Sequence, residues 1–251
     1  MFWEKTVFGP IHSRRLGSSL GINLLPKRGK FCNFDCLYCE CGLNADGTQD
    51  RTLPEADEVL QELEKRLSEL KAAGEAPDSI TFSGDGEPTL HPEFLRIMQG
   101  TVALRDRFFP NAKVSVLSNA TTLGRPGVAE ALQLADNPIM KLDAPTDALA
   151  RVLNRPSGTY SVRGTIEALK VFGGNFILQT MFLKAPGFDS SEESQLSAWM
   201  DIVRELRPRE VMVYTLDRPA PVRGLEKFSA DQMKEMTAPL AAEGYRILIR
   251  E

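Results

Sequence analysis

The chain has only two histidines, His12 and His91, and no cysteine outside the stretch Cys32–Cys41. A disulfide framework spreads its cysteines along the chain, so this distribution excludes a disulfide-stapled secreted scaffold. It also needs none: a chain of 251 residues can bury on the order of 70–75% of its extended surface. No run of about 18 apolar residues occurs, so no membrane span is expected. The N-terminal residues lack a basic segment followed by an apolar one, so no signal peptide is expected. There is no basic excess either. The formal net charge is −4, which argues against a broad nucleic-acid surface. Linkers, repeats and low-complexity tracts are missing as well. What remains is a cytoplasmic protein read as one domain over residues 1–251, with its thiols concentrated in one place.

The rest of the sequence alternates short apolar runs with longer amphipathic ones. Strands are expected at Ser19–Leu25, Ser79–Ser83, Lys113–Ser118, Pro138–Leu142, Phe176–Leu183 and Glu210–Thr215, with a seventh at Tyr245–Ile249. Helices are expected between them. The clearest runs from Pro54 to Ala73, opened by a capping box of Thr52 and Glu55 and striped by Leu60, Leu63, Leu67 and Leu70. Asp189 with Glu192, and Ser229 with Gln232, are expected to open two more. Weaker helical patterns cover Pro92–Arg107, Gly127–Leu134 and Val162–Phe172. Six βα units imply a parallel sheet, either open or closed into a full or partial barrel. The loops with unusual chemistry follow the strands, where α/β barrels place active sites.

The thiols lie in Phe31-Cys32-Asn33-Phe34-Asp35-Cys36-Leu37-Tyr38-Cys39-Glu40-Cys41-Gly42. Cys32, Cys36 and Cys39 are spaced C-x3-C-x2-C. A loop of this size can place three thiolates on three corners of an iron–sulfur cubane, leaving one iron open to a chelating molecule. A structural zinc site using all four cysteines is the alternative, although such sites usually draw two pairs from separated segments. Cys41 is outside the three-cysteine motif and is expected to pack near it, or to donate a hydrogen atom.

The segment C-x3-C-x-aromatic-C resembles the signature of radical S-adenosylmethionine (SAM) enzymes. Ser83-Gly84-Asp85-Gly86-Glu87-Pro88 is similar to that family's Gly-Gly-Glu-Pro motif, with Asp85 in place of a glycine. More narrowly, Phe8-Gly9-Pro10, Ser13-Arg14-Arg15-Leu16-Gly17, Ser19–Pro26 and Tyr214–Pro219 resemble the branch containing the wybutosine tRNA-modifying enzymes and their short bacterial relatives. The tRNA-modifying members carry further N-terminal cysteines. None precedes Cys32 here, so a second cluster is not expected.

The resemblance implies a partial (β/α)6 TIM-like barrel of the radical SAM type. It implies a [4Fe-4S] cluster on Cys32, Cys36 and Cys39, and SAM chelating the open iron. It further implies reductive cleavage of SAM to a 5′-deoxyadenosyl radical that abstracts hydrogen from a substrate, with an electron donor such as flavodoxin or ferredoxin. Gly84, Asp85, Gly86 and Glu87 would bind SAM: glycine lets a backbone approach a ligand closely, and Pro88 restricts Glu87. Tyr38 would lie near the adenine, and Ser118 and Asn119 near the ribose or methionyl carboxylate. Lys141 and Asp143 share one side of their strand end. With Tyr214 they are the candidate catalytic residues, and Asp143 is also a candidate SAM ligand; a structural ion pair is the other reading of Lys141 and Asp143. Gln179, Asp217 and Lys184, the last as a Schiff-base former, are weaker candidates. Arg14 and Arg15, with Lys27, Arg28 and Lys30, would attract an anionic substrate or the electron donor. A small molecule or nucleotide is the first-ranked substrate, a protein or peptide the second and tRNA the third. A non-enzymatic iron–sulfur or zinc module is the reading from another class.

Overall fold

The structure, a computed structural model, describes residues 5–13, 15–46 and 51–251. Its contacts fall into two compact units. The first comprises Met1–Cys32, Asn44–Ser118 and Gly124–Pro138, and the second Asn33–Leu43, Asn119–Leu123 and Ile139–Glu251. None of the described helices is long and apolar enough to cross a membrane.

The first unit is built on β1 (Val7–Ser13), β2 (Gly17–Ile22), α1 (Ala56–Ala73), β3 (Ser79–Phe82), α2 (Phe94–Phe108), β4 (Lys113–Ser118) and α3 (Val128–Gln133). Its strands pair in the order β1-β2-β3-β4. β1 is antiparallel to β2, and β2, β3 and β4 are parallel. Register aligns Leu20 with Ile80 and Val114, and Ile22 with Phe82 and Val116. These side chains form the apolar face; the Phe82 ring meets Phe94 of α2 edge-on at 5.6 Å. The alternate positions carry small hydroxyls. Ser19 Oγ lies 2.8 Å from Thr81 Oγ1, which is 3.0 Å from Ser79 Oγ, itself 2.9 Å from Ser115 Oγ, all buried.

The expected capping box of Thr52 and Glu55 does not form. The helix begins at Ala56 with Glu55 as N-cap and no side-chain cap bond. Pro54 stays outside it because its carbonyl receives the His91 Nε2 hydrogen bond at 2.9 Å. Val59 joins Leu63, Leu67 and Leu70 in the buried stripe, while Leu60 lies against Gly100 of α2, where a Cβ would sit 2.6 Å from its methyl carbons. β1 was absent from the sequence expectation. Gly9-Pro10 interrupts its alternation, and its register against β2 shifts between Phe8 and Ile11.

The second unit contains β5 (Asn137–Lys141), α4 (Asp147–Leu153), α5 (Val162–Leu169), β6 (Ile177–Met181), β7 (Leu183–Ala185), β8 (Phe188–Asp189), α6 (Glu193–Leu206), β9 (Glu210–Tyr214), β10 (Glu226–Lys227), α7 (Ala230–Ala242) and β11 (Ile247–Arg250). The order β5-β6-β9-β11 is parallel throughout. A small antiparallel sheet has the order β10-β7-β8. The box of Ser229 and Gln232 opens α7 as expected. Asp189 does not open α6, because it closes a turn onto Ser191 instead. Glu192 is that helix's N-cap, accepting from Ser194 N and Gln195 N. Lys141 and Tyr214 each end a strand, so the polar candidates stand at the carboxyl ends of the sheet.

Candidate active site

In the first unit the Gly84–Pro88 loop is fixed from two directions. Asn23 Oδ1 accepts from Asp85 N at 3.3 Å, and Asn23 Nδ2 donates to Asp85 Oδ2 at 3.3 Å. Phe31, the residue before Cys32, pairs with Gly86 as in a parallel strand. Its N–H donates to Asp85 O at 2.8 Å, and its carbonyl accepts from Glu87 N at 3.1 Å. The glycines are needed for these contacts. A Cβ on Gly84 would lie 2.3 Å from Asn23 Oδ1, and one on Gly86 would lie 1.9 Å from Phe31 O. Glycine here serves close approach of the protein to itself at least as much as approach to a ligand.

Glu87 is 2% exposed. Its Oε1 accepts from Thr89 N at 3.1 Å, Thr89 Oγ1 at 2.5 Å and Ser118 Oγ at 2.9 Å. The carboxylate is thereby aimed and held while buried, and Ser118 is one of the groups that hold it. Arg15 lies in the turn between β1 and β2, its N–H directed to Ser13 Oγ at 3.2 Å; Arg14 lies outside the described residues. The basic rim is uneven. Lys30 is buried, and Lys27 lies 3.7 Å from Glu58.

In the second unit the cysteine loop is held by backbone and side chain together. Asn33 O accepts from Ser157 N at 2.8 Å, Asp35 N donates to Asn154 O at 2.8 Å, and Leu37 N donates to Leu153 O at 3.0 Å. Asn119 Nδ2 donates to Asn33 Oδ1 at 2.7 Å, while Asn119 Oδ1 accepts from Thr121 N and Thr121 Oγ1 at 3.1 and 2.6 Å. Asn119, expected near the ribose or methionyl carboxylate of SAM, holds the cysteine loop through Asn33.

Beneath that loop lies a polar network. Lys141 Nζ donates to Tyr38 Oη at 2.8 Å and Tyr214 Oη at 2.7 Å, and stands 3.7 Å from Asp143 Oδ2. It also sits over both rings, 4.7 and 5.4 Å from their centroids. The Tyr38 hydroxyl donates to Asp143 Oδ2, and Asp143 Oδ1 accepts from Met181 N at 2.9 Å. Burial opposes the charge of Lys141, yet Asp143, Tyr214 and Cys36 outweigh it and hold the ammonium above the ordinary lysine value. Burial, then Asp143 and Cys36, push the Tyr38 phenol well up, so it remains a donor. Burial raises the Cys36 thiol, with Lys141 pulling the other way. The network thus joins the three candidate catalytic residues Lys141, Asp143 and Tyr214 to Tyr38.

Two weaker candidates have partners of their own. Lys184 forms an ion pair with Asp189 at 3.0 Å in the small sheet. Gln179 is buried, with Nε2 at 3.3 Å from Met212 Sδ. Asn154 was missed. Its Nδ2 reaches Asp143 Oδ2 at 2.7 Å, Tyr38 Oη at 3.3 Å and Cys36 Sγ at 3.4 Å. The sequence signal available was its place before Arg155-Pro156, in the loop closing a short helix after Asp143.

Among the described residues no three His, Cys, Asp or Glu side chains converge to hold a single metal ion. In a cubane each thiolate binds its own iron, and three soft thiols in a tethered loop are the donor set it takes.

The fold matches that of a radical SAM methyltransferase from Sphaerobacter thermophilus, with a TM-score of 0.67 and 16% identity over 92% of this chain and 65% of that one. Streptococcus suis SuiB bound to precursor peptide SuiA matches with a TM-score of 0.66 and 16% identity, over 95% of this chain and 50% of that one. The fold class is therefore the partial (β/α)6 barrel expected from the sequence. A description of the Radical SAM superfamily matches residues 27–186. The chain belongs to that superfamily of enzymes. Among relatives, a UPF0026 protein of Methanocaldococcus jannaschii is 31% identical over 84% of this chain and 64% of that one. A Brachyspira hyodysenteriae protein named GTPase Obg is 32% identical over 85% of this chain and 30% of that one. The chain spans less than two thirds of either relative.

Proposed function

We propose that Cys32, Cys36 and Cys39 hold a [4Fe-4S] cluster with SAM beside it, and that the enzyme abstracts hydrogen from a small-molecule or nucleotide substrate. The observation that carries this reading is the pairing of Phe31 with Gly86, which ties the start of the cysteine loop to the Gly84–Glu87 loop. When bound, the two groups supply one-electron cleavage of the sulfonium to methionine and a 5′-deoxyadenosyl radical.

The chain's own residues bind and orient. Glu87, aimed by Ser118 and Thr89, together with the backbone of Gly84, Asp85 and Gly86, offers negative charge and carbonyls to a cationic amino group. Asn119 fixes the cysteine loop through Asn33. Tyr38 and Asp143 line the same network, and Lys141, a half-buried cation, suits a carboxylate or another anionic group. Tyr214, its hydroxyl held by Lys141, is the strand-end hydroxyl assigned to the substrate. Arg14 and Arg15 attract an anionic substrate or the electron donor, a flavodoxin or ferredoxin of the cytoplasm. Residues 1–251 are read as one catalytic core.

A peptide substrate is the second reading, favoured by the fold shared with peptide-bound SuiB. Anaerobic reconstitution followed by dithionite and SAM tests the proposal. The expected product is 5′-deoxyadenosine. Full iron loading without that product refutes the enzyme reading, and a colourless, zinc-loaded protein refutes the cluster.

A further inference from the structure

The side-chain amide of Asn154 has two hydrogens and three acceptors within reach. The shortest contact, 2.7 Å, goes to Asp143 Oδ2. A carboxylate accepts and never donates when ionised, so this contact fixes which end of the amide is nitrogen. The Tyr38 hydroxyl donates to the same carboxylate and already accepts from Lys141 Nζ at 2.8 Å. The second amide hydrogen is left for Cys36 Sγ at 3.4 Å, a normal distance for a sulfur acceptor.

The backbone holds the amide there. The Asn154 carbonyl accepts from Asp35 N at 2.8 Å, and Asn154 N donates to Ala150 O at 2.8 Å. Arg155 follows with a φ of +46°, a conformation uncommon for a non-glycine residue. It is held by its own N–H on Ala150 O at 3.0 Å and by Ser157 N on Asn33 O at 2.8 Å. Cys36 and Asn154 are 8% and 3% exposed, so water does not compete for this bond.

We propose that Asn154 is a positioning residue for the cluster, its amide oriented by Asp143 and donating to the sulfur of Cys36. The inference rests on the proposed cluster reading. Hydrogen bonds to cluster sulfurs help set the reduction potential. A donor draws charge from sulfur and favours the more negative, reduced state, so Asn154 raises the potential and eases electron entry.

The test is a potentiometric titration of the reconstituted full chain, read by electron paramagnetic resonance, for wild type, Asn154→Leu and Ser157→Ala. Ser157 anchors the same loop, but its bonds go to the Asn33 carbonyl, through N at 2.8 Å and Oγ at 3.1 Å, rather than to a sulfur. Asn154→Leu is expected to shift the oxidised-to-reduced ratio about tenfold toward oxidised at a given potential, a fall of about 59 mV for one electron. Ser157→Ala is expected to leave it unmoved. An unchanged potential in Asn154→Leu at wild-type iron content overturns the proposal, as does an equal fall in Ser157→Ala. Failure of the wild type itself to take up iron overturns the cluster reading and this role with it. Where Asn154→Leu loads less iron than wild type, the wild-type cluster decides. With asparagine labelled by 15N in its side-chain amide, the reduced cluster's electron spin shows a 15N coupling, and its absence overturns the proposal.

Discussion

Replacing Lys141 by methionine removes a half-buried charge while keeping most of the stem. Asp143 is then the exposed quantity, energetically speaking: its side chain is fully buried, and its cationic neighbour at 3.7 Å is gone. Breaking a buried pair by removing one partner costs about 3–5 kcal/mol, because the remaining charge is left uncompensated. Here the cost falls at the low end. Asp143 still accepts from Met181 N at 2.9 Å, from Asn154 Nδ2 at 2.7 Å and from the Tyr38 hydroxyl. The two tyrosine rings also lose a cation, which adds roughly 0.5–1 kcal/mol each where the site is partly open. A loss of about 4–5 kcal/mol in all corresponds to a fall of roughly 8–20 °C in Tm for a chain of this size. Urea unfolding of the cluster-free chain measures it. Adding Asp143→Asn to Lys141→Met is expected to recover part of the loss, since no charge is then stranded. If Lys141→Met changes stability by less than about 0.5 kcal/mol, an ordinary surface effect, the assignment of Lys141 as the counter-charge of Asp143 is wrong.

Gly86→Ala should abolish iron uptake while Gly124→Ala does not, because a Cβ at 86 would sit 1.9 Å from Phe31 O whereas one at 124 meets nothing within 4 Å; equal iron content in the two variants counts against the Phe31–Gly86 tie as the start of the site. Serine at Cys32, Cys36 or Cys39 should each remove the cluster absorbance, and Cys41→Ser should keep it; loss of iron in Cys41→Ser would overturn the three-ligand assignment. Glu205 is held down to about 2 by hydrogen bonds from Arg163 and Lys170. Its folded value is depressed, so its stabilisation is present above the unfolded value of about 4.3 and disappears as pH falls through about 2. Glu205→Gln should therefore be less stable than wild type at neutral pH and indistinguishable from it near pH 2 in pH-dependent urea titrations. A difference that persists unchanged in acid would refute the ion-pair origin.

The sequence made the parallel strands legible because buried strands are apolar runs whose ends are marked by Asn, Asp and Gly. It made the cysteine motif legible because ligand spacing is local. β1 stayed hidden behind Gly9-Pro10, and α4 behind its shortness. Asn154 stayed hidden for a different reason. Its contact with Cys36 spans 118 positions, and nothing in its neighbours' periodicity encodes a partner so distant. The role of Gly84 was legible as a need for space, but the group that fills that space, the Asn23 side chain, was not. The pairing of Lys141 with Asp143 followed from strand alternation, whereas the convergence of Tyr38 and Tyr214 on the ammonium required the folded sheet.

The cysteine loop is short of regular structure, yet the amides of Phe31, Asp35, Leu37, Cys39 and Gly42 each already have a backbone partner. Fixing a residue's backbone costs about 1–2 kcal/mol, and in a zinc finger the metal must supply that cost, which is why the apo form is unfolded. Here hydrogen bonds within the polypeptide offset part of that cost. Removing iron from the proposed cluster with a chelator is therefore expected to leave the far-ultraviolet circular dichroism and the slow hydrogen exchange of these amides nearly unchanged, and a large loss of either would show that the loop depends on iron for its fold.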